Sequence, residues 1–112
     1  MSPPRTPAEA EAVAVAELVL GQLASGEFAA VSGRFVNKFQ ALLPAEALEH
    51  AWKQITHDAG AYRTIVACES EPGDDAELCL VTATCSFERG QLFACMLVDG
   101  AGQLSGLWFR TR

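Results

Sequence analysis

An α+β domain, with N-terminal helices packed on a four-stranded antiparallel sheet, is the fold class that three features of this sequence predict. Apolar residues recur at helical spacing as far as Gly60, they alternate at period two beyond it, and turn signals cut that second half into four runs. The chain is 112 residues long and 50% hydrophobic, with a mean hydropathy of +0.16. That is apolar surface enough for one core, in a chain too short for a second domain.

The first helix starts at a capping box: Thr6 can accept from the Glu9 amide, Glu9 can reach back, and Pro7 suits the first helical position. Ala12, Val15, Ala16, Val19, Leu20 and Leu23 then share one face, and Gly26 is a natural stop. Residues 1–7, with three prolines, are expected as a flexible tail and 8–112 as the domain. Phe28, Val31, Phe35, Phe39 and Leu42 continue the helical spacing, with Gly33 marking a break, so the expectation is one broken helix or two short ones. A further helix is expected with Pro44 at its first position and Leu48, Ala51, Trp52, Ile55 and Ala59 on its buried face. Its other face carries Glu49 and Lys53, a favourable i,i+4 pair.

The runs Tyr62 to Ser70, Leu78 to Glu88, Gln91 to Asp99 and Leu104 to Arg110 read as a meander of strands. The connections are Glu71-Pro72-Gly73-Asp74-Asp75, Arg89-Gly90 and the segment from Asp99 to Gln103. With Arg89-Gly90 as a two-residue turn, Phe87 faces Leu92, Cys85 faces Ala94, Ala83 faces Met96 and Val81 faces Val98 on an apolar side. The other side is mixed, pairing Ser86 with Phe93, Thr84 with Cys95 and Thr82 with Leu97.

A net charge of −6, from 8 basic and 14 acidic residues, leaves no basic stripe and argues against nucleic acid as a partner. Glutamates interrupt the first apolar run, so neither a signal-peptide core nor a membrane span is expected, and the cytoplasm is the expected location. Cys68, Cys79, Cys85 and Cys95 have no metal-ligand spacing and sit in apolar runs. They read as reduced structural thiols, with a cross-strand Cys68–Cys79 disulfide as the alternative. No metal or other cofactor is expected.

Gly26-Glu27-Phe28, Phe35, Leu43-Pro44, Leu48, Ala51-Trp52 and Gly60-Ala61-Tyr62 resemble the helical half of the bacterial domain of unknown function 3887 family. Phe87-Glu88-Arg89-Gly90 and the run from Val98 to Leu107 are similar to that family's closing hairpins, so the likeness extends from about Ala8 to Arg110. The resemblance implies a nuclear-transport-factor-2-like, or cystatin-like, cone: a curved sheet wrapped round helices and enclosing a pocket. It supplies no catalytic residues. Turned inward by such a cone, Phe28, Phe35, Phe39, Trp52, Tyr62 and Trp108 would bound a pocket for a small apolar ligand.

Chemistry must therefore come from individual residues. His57-Asp58 at the end of the third long apolar stripe is a candidate acid–base pair, and Tyr62 a candidate donor into the pocket. The plainer readings are a histidine placed against a helix C-terminus and a strand-entry aromatic. His50 reads as a solvated helix residue, and no serine lies in a G-x-S-x-G elbow. Two functions stay open: a noncatalytic pocket or interaction module, and an isomerase- or cyclase-like enzyme using Tyr62, His57 or Asp58. A homodimer is expected through the outer sheet face, where Thr82, Thr84, Ser86, Phe93, Cys95 and Leu97 are joined by Leu107 and Phe109. The resemblance implies the same sheet-to-sheet pairing; a one-residue register shift would exchange the faces.

Overall fold

Helix α1 (Pro7–Ala24) is followed by two short helices, α2 (Phe28–Ser32) and α3 (Asn37–Gln40), and by α4 (Ala45–Ala59). Strands β1 (Tyr62–Pro72), β2 (Cys79–Phe87), β3 (Gly90–Val98) and β4 (Leu104–Thr111) then pair antiparallel in the order β1-β2-β3-β4. The architecture is α+β, with helices leading an open sheet. The computed structural model describes residues 7–72 and 78–111. The Thr6 cap, the tail before it and the turn at 73–75 lie outside the described residues.

The predicted stripe of α1 is its packing face: Ala12, Ala16, Val19, Leu20 and Leu23 are buried, against β1, β2 and β3. The sheet answers with Val81, Ala83, Cys85 and Phe87 from β2 and Ala94, Met96 and Val98 from β3. Among the described residues no polar or charged side chain is buried, so the core is held by apolar contact alone.

Between α2 and α3 the chain leaves helical geometry to join the sheet. The Val36 amide donates to the Leu104 carbonyl at 3.0 Å and the Leu104 amide to the Arg34 carbonyl at 2.8 Å. This parallel bridge sets Phe35 beside Leu104, and both are fully buried. Helix α4 starts one residue later than expected: Pro44, with ψ 166°, is its N-cap, and Ala45 opens the helix. Leu48 and Trp52 are buried and Ile55 is half-buried, but Ala51 is exposed, because it faces a groove and not the sheet. Glu49 and Lys53 meet at 3.0 Å on the outer side.

Trp52 packs on three strands at once, with ring centroids 5.8 Å from Tyr62 of β1, 6.0 Å from Phe87 of β2 and 5.9 Å from Phe109 of β4. The end of α4 is fixed by the β2–β3 turn, whose Glu88 and Arg89 amides donate to the Ala61 and Ala59 carbonyls at 2.9 and 2.8 Å. Gly60 is needed there: its φ is +86°, and a Cβ would come within 2.5 Å of the Glu88 Cβ.

The β2–β3 turn is Glu88-Arg89, with Phe87 paired to Gly90, so Cys85 faces Leu92, Ala83 faces Ala94, Val81 faces Met96 and Cys79 faces Val98. The expected register was two residues away, and a slip of two leaves every side chain on its expected face. Strand β4 departs further. Val98 pairs with Leu104 but Leu97 with Gly106, so Ser105 is an extra residue and the alternation flips after it. Leu107 and Phe109 thus lie opposite Met96 and Ala94 on the inner face, contrary to their expected place outside. Trp108, expected inside, lies opposite Cys95 on the outer face and is 42% exposed. All four cysteines are free, and Cys68 stands opposite Ala83, away from Cys79.

Removing the indole from this junction should be severe: Trp52→Ala is expected to cost about 3–5 kcal/mol by chemical denaturation. An unchanged denaturation midpoint would show that the aromatic cluster carries no such weight.

Candidate functional site

Helix α1 covers β1 to β3, whereas α4 packs on α2 and sets Trp52 against aromatic rings of β1, β2 and β4. The alanines at 47 and 51 leave space between α4 and the inner side of β4. The result is an open groove of about 450 Å³ with Phe35, Leu48 and Trp52 as floor and Leu107 and Phe109 along its strand wall. His50, Gln54 and Asp58, one helical turn apart, form the polar edge on α4. A second part of about 390 Å³ shares Ile55, Asp58 and Phe109 and continues past Arg89 and Gln91 to Arg110 and Thr111.

Of the six aromatic residues expected to bound a pocket, Phe35, Trp52 and Trp108 border this groove. Trp108 does so only from the edge strand, since its ring lies over Gly106 on the outer face, 3.2 Å from where a Cβ would stand. Phe28 and Phe39 are half-buried against the core elsewhere, and the Lys38 ammonium sits 5.3 Å from the Phe39 ring centre. Tyr62 packs edge-on against Phe87 at 5.5 Å, beneath Trp52. Among the groove residues not anticipated as pocket lining are Ala47, Leu107 and Phe109. The first was visible as one turn before Ala51; the others were hidden by the bulge.

The acid–base candidates do not converge. His57 Nδ1 lies 3.3 Å from Asp58 Oδ1, and both side chains are largely exposed, at 82% and 70%. The hydrogen bond with His57, and then that from Gln54 Nε2 at 3.5 Å, hold the Asp58 carboxyl below the usual carboxylate range. Burial, with the nearby Cys85, pushes the Tyr62 hydroxyl up from its ordinary value. Only Asp58 of the three borders the groove. Arg89 has a structural duty: its Nη2 donates to the His57 carbonyl at 2.6 Å and its Nε to the Asp58 carbonyl at 3.3 Å. A cation on the last carbonyls of α4 offsets the negative end of the helix dipole.

Among the described residues no three His, Cys, Asp or Glu side chains are grouped to hold a metal ion, and no helix is long and apolar enough to cross a membrane. Fold and groove together define a small α+β domain built beside an open apolar cleft. Residues 16–107 match the family described as proteins of unknown function, DUF3887, and the chain belongs to that family. Neither the curated proteins nor the solved structures contain a match.

Burial, foremost, pushes the Cys85 thiol from its ordinary 9.0 up to about 11. The folded chain therefore holds this proton when the unfolded chain has lost it. The contribution of this thiol to stability is complete below pH 9 and is lost as pH rises from 9 towards 11. Urea midpoints are expected to fall across that window, and to fall less steeply for Cys85→Ala. Equal slopes in the two proteins would contradict the burial argument.

Proposed function

We propose that this protein is a noncatalytic binding module whose α4–β4 groove takes a small apolar ligand. The observation that carries the reading is the groove itself, with an aromatic and aliphatic floor and a single polar edge, the usual composition of a small-molecule site. The resemblance to the nuclear-transport-factor-2-like cone, in which a sheet and helices enclose a pocket, supports it. So does the placement of His57, Tyr62 and Asp58, of which only Asp58 borders the groove, since an isomerase- or cyclase-like reaction needs its acid and base within reach of one substrate. The free thiols suit a reducing compartment such as the cytoplasm.

A second reading, homodimerisation through the outer sheet face, rests on different residues. Helices pack on the inner face, while Trp108 is 42% exposed outside, on the same face as Phe93, Cys95 and Leu97. Thr82 and Thr84 extend this surface across β2. A two-fold pairing would let one patch serve both copies.

Nile red, an uncharged apolar probe, is expected to gain fluorescence with the protein and to be lost on Ala51→Trp, which fills the groove from an exposed helix position. Wild-type binding by the Ala51→Trp protein would remove the site from this groove. Sedimentation at micromolar concentration is expected to give a dimer mass that Phe93→Glu halves. A monomer mass for the native chain would end the second reading.

A further inference from the structure

We infer that the ligand of this groove is a single-chain amphiphile with an anionic head, of the fatty-acid class, its tail on Trp52 and its head towards Arg110. This rests on the binding reading above and adds the ligand's shape and charge. The two parts of the groove share Ile55, Asp58 and Phe109, so they form one trough. Along α4 it runs from Ala47 to Ala59, twelve helical steps or roughly 18 Å. Helix α4 and strand β4 flank both parts, with Leu23, Phe35 and Leu43 at one end and Arg89 to Leu92 at the other, which suits an extended chain better than a compact ring system.

Polarity is graded along the trough. At one end the lining is Phe35, Leu48 and Trp52; at the other it is Arg89, Gln91, Arg110 and Thr111. In a chain of 8 basic and 14 acidic residues, the lining at this end holds two arginines and one carboxylate, with Glu88 against Arg89 just outside it. The Asp58 oxygens are engaged by His57 and Gln54. Arg89 is held by the α4 carbonyls and meets Glu88 at 3.4 Å. Arg110 is the cation left for a ligand. Its guanidinium lies 5.3 Å from the Phe93 ring centre, with no carboxylate partner among the described residues. It stands on the outer face of the edge strand and also borders the second part of the groove, so binding a head group there requires the side chain to leave Phe93 and turn over that edge. A carboxylate there gains a charge-assisted hydrogen bond, whereas an ammonium faces like charge.

The test measures binding of laurate, lauryl alcohol and laurylamine to the full chain below their micelle concentrations, with Nile red in parallel. Laurate is expected to bind about tenfold tighter than the alcohol, the effect of one hydrogen bond to a charged group. Shortening the acid by one methylene should weaken binding about fourfold. Arg110→Gln should remove the preference for the acid, and Arg63→Gln, an exposed charge on β1 outside the groove, should keep it. Amine binding as tight as laurate, or a preference that survives Arg110→Gln, overturns the inference. Nile red bound in the groove with none of the three chains binding also overturns it and leaves the groove reading intact. Loss of Nile red binding as well defeats both.

Discussion

The structure depends on one contact, the Trp52 ring against Tyr62, Phe87 and Phe109. Tilted ring pairs at such distances add to the apolar area they bury, so a single side chain can fix a helix across strands from both edges of the sheet. The same economy creates the groove. A helix seated along its length would interdigitate with β4 and leave no space, but α4 packs on α2 and reaches β4 through Trp52, with alanines at 47 and 51 beside it. Anchorage and cleft are therefore consequences of the same choice of residues: large at 52, small at 47 and 51.

Two backbone junctions keep the cleft from closing or splaying. At the β4 start, the Phe35–Leu104 bridge joins the α2–α3 connection to the edge of the sheet. At the far end the β2–β3 turn holds the last residues of α4, through the Glu88 and Arg89 amides and the Arg89 side chain. Gly60 permits that approach, because any Cβ would strike Glu88. The groove walls are thus set by hydrogen bonds at their ends and by an aromatic cluster in the middle, and the core beneath holds no buried polar side chain among the described residues.

Most of this was legible in the sequence, for identifiable reasons. The α1 stripe is unambiguous because its partners are all on one side, and Gly33 and Gly60 punctuate the helices where the chain must turn. The β2–β3 faces were legible despite a two-residue error in the turn, since period two forgives even slips. Ala51 was misplaced for a different reason: an apolar residue on a helix stripe reads as core whether it meets a sheet or an open cleft. Phe28, Phe39 and Tyr62 are likewise apolar-face residues, and periodicity alone cannot say which of them borders a cavity.

The largest departure comes from one residue. Leu104 is buried, and strict alternation from it would send Gly106, Trp108 and Arg110 inward and Leu107 and Phe109 outward. The extra residue at Ser105 reverses all five. Nothing in the local pattern announces it, because Leu107, Trp108 and Phe109 are consecutive large apolar residues and either phase looks plausible. The bulge has consequences on both sides of the sheet. Inside, it supplies Phe109 to the Trp52 cluster and Leu107 to the groove wall. Outside, it lays Trp108 over Gly106 and places Arg110 against Phe93 at the open edge. Without it the indole and the guanidinium would enter the space that α4 leaves, and the cleft would be filled from the strand side. One inserted residue in an edge strand thereby decides that this domain has a groove on one face and an aromatic surface on the other.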